Sequence, residues 1–295
     1  MFQGVCTALI TPFDGMNVDF YALEKFLDFQ LENGIKSFCP CGTTGEIATL
    51  TDDEYLQILK IVAKKTDGKA FIIPGVGGNN TLKVIENCKK AEQIGVNAVL
   101  AVCPYYNKPT QDGLLKHFEI IAKSTILPVI LYNVPGRTVT NISNESIAKL
   151  AKIPNIKGLK DATGDLERIA TLRTELQKNS IPLEDFTIYS GDDILTLGFI
   201  AMGAKGVISV ASNIMPKKCL QLCDFALSED FKNALKLQDE LADLFDKMFI
   251  ETNPMPIKYA VSKLGFMKNE LRLPLIPLSD DSKKIIDTLM QNLNI

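Results

Sequence analysis

Apolar and polar positions follow a repeating order along the chain: a short apolar run, a turn, and then a segment with helical periodicity. Eight apolar runs have this form, and they begin at Gly4, Ser37, Ala70, Asn97, Pro128, Asn155, Phe186 and Lys205. Nearly continuous apolar runs are typical of strands that are covered on both faces, as in parallel sheets connected by helices. Eight such units predict an α/β fold of the (β/α)8 (TIM) barrel type.

The segments between the apolar runs carry helical signals. Thr51 is followed three residues later by Glu54, which is the spacing of a capping box. The apolar stripe expected after it consists of Tyr55, Ile58, Leu59 and Val62. A second helix is predicted from Thr81 until Gly95 ends it. Its expected apolar face consists of Leu82, Ile85, Cys88, Ala91 and Ile94.

The strand signals end after Pro216. The apolar periodicity that remains predicts three helices, over residues 231–249, 256–264 and 279–293. No low-complexity linker precedes them, so an independent domain is not expected. We predict a barrel over residues 1–215 and a C-terminal helical extension over residues 216–295 that packs on it.

Composition narrows the classes of function. A chain of 295 residues, of which 46 % are hydrophobic, can form a single large α/β barrel. Its 32 basic and 35 acidic residues give a net charge of -3, and no basic cluster indicates binding to nucleic acid. The only histidine, His117, leaves a His-rich metal site or a Ser-His-Asp triad poorly supplied. Its place inside a predicted helix indicates an ordinary surface or boundary residue.

The seven cysteines include no CxxC pair, which argues against zinc ribbons and thioredoxin-like motifs. Several lie in apolar runs, so we expect reduced core residues in a cytoplasmic protein. The first residues lack the basic region of a signal peptide, and the apolar windows are too short to span a membrane. A secreted or membrane-associated protein is therefore not expected.

Polar motifs gather where the apolar runs end. The second run leads into CGTTGE, the fourth into CPYYN, the fifth into LYNVPGRT, the sixth into GLKDATG and the seventh into YSGDD. In (β/α)8 barrels the active site lies at the carboxyl ends of the strands. Each motif alone has low specificity, but their shared placement predicts one site.

Lys160 is the most informative of these polar residues. Side chains alternate along a strand, so Ile156, Gly158 and Lys160 share one face. If this face is the barrel interior, Gly158 leaves space and the amine points into the pocket. A desolvated amine is more easily deprotonated and can attack a carbonyl to form a Schiff base. The spacing leaves a second interpretation open, in which a buried stem carries the ammonium to water.

The other strand-end motifs also have two interpretations each. Tyr132 can shuttle protons for an imine or simply pack, and Arg137 can bind a carboxylate or lie on the surface. The turn at 42–46, GTTGE, offers hydroxyl and backbone N–H groups to an anion, or is an ordinary loop. The GDD at 191–193 indicates helix N-capping rather than a metal site, because no histidine is near.

Together, the motifs resemble the dihydrodipicolinate synthase family, one of the pyruvate-dependent class I aldolases that include N-acetylneuraminate lyase. The resemblance covers essentially the whole chain and rests on TALITPF, GTTGE, PYYN, YNVPGRT, KDATGD, YSGDD and GVISV, in the family's order and spacing. It implies a lyase that condenses pyruvate with L-aspartate 4-semialdehyde in lysine and diaminopimelate biosynthesis. It implies no metal and no organic cofactor, because the imine on the lysine serves as the electron sink.

The resemblance also implies roles for individual residues. Lys160 would form the Schiff base with pyruvate, and Tyr132 would donate and accept protons. Thr43 would link this tyrosine to Tyr106, which comes from a neighbouring subunit, so the protein would be at least a dimer and, as in the family, a tetramer. Four further residues would contact the substrates: Thr44 at the pyruvate carboxylate, Ile208 against the same substrate, Gly191 in the pocket wall and Arg137 at the carboxylate of the aldehyde.

Two other functions stay open. A sialic-acid lyase or keto-deoxy-sugar aldolase is the nearest, and Arg137 argues against it because the lyases typically lack an arginine at this point. A non-catalytic sensor of sugars or small acids is the second, since fold alone does not establish activity. A sensor would have no use for the relay of Tyr132, Thr43 and Tyr106 beside Lys160.

The resemblance further implies weak or absent feedback inhibition by lysine. Inhibited family members bind lysine in a crevice at a dimer interface, with a glutamate against the ligand's ammonium and commonly a histidine. In this sequence four of the contacts differ, since the matching positions hold Lys83, Asp52, Tyr55 and Ile47. Asn79 and Tyr105 are retained. A cation at the position of the glutamate would repel the ligand's ammonium.

Overall fold

The computed structural model describes residues 1–295, and strands and helices alternate along most of the chain. The strands are β1 (Gly4–Ala8), β2 (Phe13–Asp14), β3 (Asn17–Val18), β4 (Ser37–Cys39), β5 (Phe71–Ile72), β6 (Val99–Val102), β7 (Val129–Asn133), β8 (Ile156–Asp161), β9 (Thr187–Ser190) and β10 (Gly206–Ser209). β2 and β3 form a separate antiparallel hairpin. The other eight strands correspond to the eight predicted apolar runs and form one sheet with the order β5-β4-β1-β10-β9-β8-β7-β6.

The sheet closes on itself. The first and last strands pair in parallel, with Gly4 opposite Gly206. A parallel bridge between Gly75 and Leu100 joins the two ends of the strand order. A Cβ atom at position 206 would lie only 1.9 Å from the carbonyl oxygen of Gly4, so glycine is required where the barrel closes. The predicted (β/α)8 barrel is confirmed.

Twelve α-helices accompany the strands: α1 (Phe20–Glu32), α2 (Asp52–Thr66), α3 (Thr81–Ile94), α4 (Gln111–Lys123), α5 (Pro135–Thr138), α6 (Asn144–Leu150), α7 (Leu166–Lys178), α8 (Thr196–Ala201), α9 (Pro216–Leu227), α10 (Phe231–Lys247), α11 (Met255–Lys263) and α12 (Asp280–Leu293). The capping box of Thr51 and Glu54 begins α2 as predicted. The predicted apolar face of α3 is wrong at its start, because Leu82 is exposed and Val84 is buried instead. None of the twelve helices combines the length and the hydropathy needed to cross a bilayer.

The C-terminal helices belong to the same hydrophobic core as the barrel. No strand follows Pro216, as predicted, and α9 packs against β1 and β10. One continuous cluster of buried apolar side chains includes residues of the strands together with Leu241, Ile257 and Ile286 from α10, α11 and α12. A boundary between residues 215 and 216 stays a prediction.

The expectation that the cysteines lie in the core is confirmed, whereas the expectation for His117 is wrong. All seven cysteines are buried and none forms a disulfide, which confirms that they are core residues. His117 is not a surface or boundary residue: it is buried, and its Nδ1 lies 2.9 Å from the hydroxyl of Thr81. Burial lowers the pKa of this histidine to about 4. Helical periodicity alone did not show that α3 would pack against α4 at this position.

Candidate active site

A cavity of about 290 Å³ lies at the carboxyl ends of the barrel strands. Six of the residues predicted from the sequence line it: Thr43, Thr44, Tyr132, Arg137, Lys160 and Gly191. They come from four separate βα turns or strand ends, which the closed barrel brings together. Four of the five strand-end motifs therefore converge on one cavity, and CPYYN supplies none of its lining residues.

Lys160 and Tyr132 are direct neighbours inside this cavity. They are register partners on β8 and β7, and each residue is 7 % exposed. The Nζ atom of Lys160 lies 4.3 Å from the centroid of the Tyr132 ring. The amine therefore ends in the cavity and does not reach the outer surface of the barrel, so the alternative of a surface-reaching lysine is wrong.

Two glycines shape the surroundings of Lys160. A Cβ atom at Gly158 would lie 2.2 Å from the carbonyl oxygen of Thr187, so this glycine is needed for the close approach of β8 and β9. The expectation that Gly158 makes space for the lysine is therefore wrong. At Gly191 a Cβ atom would lie 3.0 Å from Cε of Lys160. Gly191 is the glycine that leaves room for the lysine stem.

The residues that follow Tyr132 and Lys160 stabilise the two strand ends from the opposite face. Asn133 and Asp161 are the next register partners, and both are fully buried. The carboxylate of Asp161 accepts hydrogen bonds from Nε of Arg168 at 3.0 Å and from Nδ2 of Asn133 at 3.4 Å. Because side chains alternate along a strand, this network fixes the direction in which Tyr132 and Lys160 point into the cavity.

The GTTGE turn is compact and places its two threonines on the cavity wall. The Thr11 hydroxyl donates to the carbonyl of Gly45 at 2.8 Å. A Cβ atom at Gly45 would lie 2.9 Å from the backbone nitrogen of Cys41, so the turn folds tightly only with glycine. Thr44 is buried, and its hydroxyl accepts a hydrogen bond from Nδ2 of Asn253 at 3.0 Å.

Asn253 was not found from the sequence, although it contacts two of the predicted residues. It lies between α10 and α11, and its carbonyl accepts a hydrogen bond from Nη2 of Arg137 at 2.9 Å. Its Oδ1 atom is buried without a hydrogen-bond partner. Phe245 and Phe249 of the same region also line the cavity. The only sequence signal was the Asn-Pro pair, which indicates a turn and nothing more.

Two of the predicted site residues lie outside this cavity wall. Tyr106 is 91 % exposed and has a φ of 71°, an uncommon left-handed conformation for a tyrosine. It projects from the loop before α4 and does not line the cavity of its own chain. Ile208 is buried within β10, whereas Val210, two residues later, lines the cavity.

Asp193 of the GDD motif has a capping role, but toward another part of the chain. Its carboxylate accepts hydrogen bonds from the N–H groups of Val210 and Ala211 at 2.8 and 3.1 Å, where a short 3-10 helix begins.

Asp192 lines the cavity, and burial raises the pKa of its carboxyl. Cys39 also lines the cavity, and burial raises the pKa of its thiol to about 11 against an opposing effect of Lys160. This thiol is therefore neutral.

A separate crevice contains the positions that the resemblance associates with lysine binding. It is lined by 13 residues, among them Ile47, Asp52, Tyr55, Asn79, Lys83 and Tyr105. Nζ of Lys83 lies 2.6 Å from a carboxylate oxygen of Asp52, and Nζ of Lys90 lies 2.9 Å from the same oxygen. Lys83 and then Lys90 hold the pKa of Asp52 below its ordinary value. The carboxylate is thus already paired with two ammonium groups.

Comparison with known proteins gives a consistent result over the full length. The sequence model of the dihydrodipicolinate synthetase family matches residues 1–293. The 4-hydroxy-tetrahydrodipicolinate synthase of Laribacter hongkongensis is 41 % identical, and the match covers 100 % of both chains. The crystal structure of dihydrodipicolinate synthase from Aquifex aeolicus superimposes with a TM-score of 0.95 at 40 % identity, covering 99 % of this chain and 98 % of the other. That of the Acinetobacter baumannii enzyme complexed with pyruvate gives 0.96 at 39 % identity and covers 100 % of both chains.

Proposed function

The chain belongs to the dihydrodipicolinate synthetase family, and from this premise we propose that it condenses pyruvate with L-aspartate 4-semialdehyde to 4-hydroxy-tetrahydrodipicolinate. The observation that carries the proposal is the buried pair of Lys160 and Tyr132 in the wall of a cavity that Arg137 and two threonines also line. The product belongs to lysine and diaminopimelate biosynthesis. The enzyme is a lyase of the class I aldolase type.

Lys160 is the covalent nucleophile of the proposed reaction. Its neutral amine attacks the ketone of pyruvate, and loss of water gives an imine. Loss of a methyl proton then gives an enamine, whose carbon attacks the aldehyde of the second substrate. The amino group of that substrate finally attacks the imine carbon, which closes the ring and releases Lys160.

Tyr132 lies where these steps exchange protons. Its ring is in contact with the amine, so its hydroxyl can serve the carbinolamine and the imine. We propose that Thr43 connects Tyr132 to Tyr106 of a second subunit. The exposure of Tyr106 on its own chain supports this contribution in trans. The active unit would then be at least a dimer, and we propose a tetramer by analogy with the family.

The remaining cavity residues divide between the two substrates. Thr44 and the backbone N–H groups of its turn hold the carboxylate of pyruvate, with Gly191 in the wall beside the imine. Arg137 binds the carboxylate of the aldehyde with its guanidinium. Ile208 would support the pyruvate side from within β10. We also propose a cytoplasmic location, because seven free thiols are typical of a reducing compartment.

The nearest alternative function is aldol cleavage of a sialic acid or a related keto-deoxy sugar. One experiment separates the two reactions, namely parallel assays of condensation with aspartate semialdehyde and of sialic-acid cleavage. Condensation at a rate well above cleavage supports the proposal, and the opposite ranking overturns it. Borohydride trapping with pyruvate also separates an enzyme from a non-catalytic sensor, because only the enzyme forms a covalent adduct.

Replacing Arg137 by alanine should raise the KM for aspartate semialdehyde about tenfold to a hundredfold, while pyruvate still forms the imine. A charge-assisted hydrogen bond contributes about 1.5–3 kcal/mol, which corresponds to this range. Arg137→Lys keeps the charge but loses the planar fork, so it should recover only part of the affinity. Steady-state kinetics with each substrate varied in turn provide the measurement. Loss of imine formation in a folded Arg137→Ala protein would show that the arginine has another role.

L-Lysine should inhibit the enzyme weakly or not at all, with half-inhibition above about 1 mM, equivalent to about 4 kcal/mol of binding. Lys83 and Lys90 already occupy the carboxylate of Asp52 and place positive charge where the ligand's ammonium would bind. The measurement is a titration of activity with L-lysine. As a matched variant, Lys83→Glu should increase the sensitivity to lysine. Half-inhibition of the wild type below about 1 mM lysine would contradict the prediction.

A further inference from the structure

The GTTGE turn ends in a glutamate whose side chain points away from the cavity into the protein. The side chain of Glu46 is 2 % exposed, and its Oε1 accepts a hydrogen bond from Nζ of Lys258 at 2.5 Å. Lys258 lies in α11 and is fully buried. Burial lowers the pKa of Lys258 to about 8, while the carboxylate of Glu46 opposes the decrease. A buried ion pair therefore joins the active-site turn to the C-terminal helices.

The surroundings of the pair hold it in one place. Nζ of Lys258 lies 4.1 Å from the centroid of the Phe13 ring, and the guanidinium carbon of Arg272 lies 4.5 Å from the same ring. The backbone N–H of Arg272 donates to the second carboxylate oxygen of Glu46 at 3.3 Å. Both carboxylate oxygens are thus engaged by residues of the C-terminal region.

Stability alone does not explain such a pair. Replacing a buried ion pair by apolar residues of similar size is often neutral or stabilising, whereas removing one partner is destabilising. What the pair does provide is a defined position for the side chain and backbone of Glu46. Glu46 has a φ of 55°, and its N–H donates to the carbonyl of Thr43 at 3.1 Å. A non-glycine residue in this conformation persists when its surroundings determine it.

We propose that Glu46, held by Lys258, is a positioning residue that sets Thr43 and Thr44 at the distance needed to bind pyruvate and relay protons. The inference rests on the proposed function, because it assumes that these threonines contact the substrate. Displacement of a binding group by about 1 Å costs on the order of 10²-fold in rate. The C-terminal extension therefore contributes to pyruvate binding through a residue that does not touch the substrate.

The test measures how pyruvate saturates imine formation, by borohydride trapping and mass spectrometry over a range of pyruvate concentrations. Glu46→Gln keeps the shape of the side chain and one acceptor oxygen, so it should fold. It should raise the half-saturating concentration of pyruvate at least tenfold. The double variant E46M/K258M removes both charges and leaves no unpaired buried ion. Its melting temperature should therefore be closer to that of the wild type than the melting temperature of Glu46→Gln, while its pyruvate binding stays weak.

A matched control is Asp287→Asn, which weakens the contacts of α12 with Tyr259 and Lys263 of the same helix α11 without contacting the turn or Lys258. It should lower the melting temperature and leave the pyruvate saturation within about twofold of the wild type. The inference is overturned if Glu46→Gln binds pyruvate like the wild type, or if the double variant regains normal saturation together with stability. Absence of any adduct in the wild type overturns the proposed function, and the inference with it.

Discussion

Replacement of Lys160 by alanine should lower the rate of condensation by roughly 10³-fold or more, and pyruvate should no longer be trapped by borohydride. The size of the effect follows from the loss of the nucleophile, since every covalent step of the proposed reaction passes through this amine. No second amine is available in the cavity, because Lys160 is the only lysine in its wall. The measurements are kcat with both substrates and the mass of the trapped protein.

Lys157 provides the matched control for this prediction. It lies on the same strand, three residues earlier, and it is not part of the cavity wall. Lys157→Ala should keep both the adduct and the activity. Peptide mapping of the wild-type adduct to Lys157, or the absence of an adduct, would contradict the assignment of Lys160.

Tyr106→Phe and Thr43→Ala should each lower activity by at least about 10²-fold, in keeping with loss of a proton relay. When the two inactive proteins are mixed, part of the activity should return. A site on a Tyr106→Phe subunit keeps Thr43 and receives an intact tyrosine from the other variant. Random exchange between equal amounts of two dimeric variants would restore about a quarter of the sites.

The mixing experiment needs proof that subunits exchange. Native mass spectrometry of one variant with a mass label shows the fraction of hybrid oligomers, and activity should rise in proportion to that fraction. Each variant alone, at the same total concentration, gives the baseline. Hybrid oligomers without recovered activity would show that Tyr106 does not act across the subunit interface.

The fold was predictable because its strands bury both faces and therefore lack polar interruptions. The same property located most of the site: a polar residue such as Lys160 stands out at the end of an apolar strand. Closure of the barrel then brings residues as distant as Thr44 and Gly191 to one cavity. Local pattern and fold class together were sufficient for these residues.

Asn253 and Lys258 could not be predicted in the same way. Both act on the GTTGE turn from more than 200 positions away in the sequence, and a contact of that range leaves no mark in local periodicity. In the sequence, Lys258 has the position of an ordinary polar residue of an amphipathic helix, although in the structure it is fully buried. Gly158 was misinterpreted for a related reason, because the backbone of β9 that it accommodates is remote in sequence.

The link between Glu46 and Lys258 also has a consequence for the order of events during synthesis. A ribosome delivers the N-terminal part of a chain first, at about 5–20 residues per second. The last barrel strand ends at Ser209, but the lysine that secures the turn follows in α11. A nascent chain arrested after β10 would contain every barrel strand and leave the carboxylate of Glu46 without its ammonium. If the inference is right, the GTTGE turn reaches its final geometry only in the closing stage of translation.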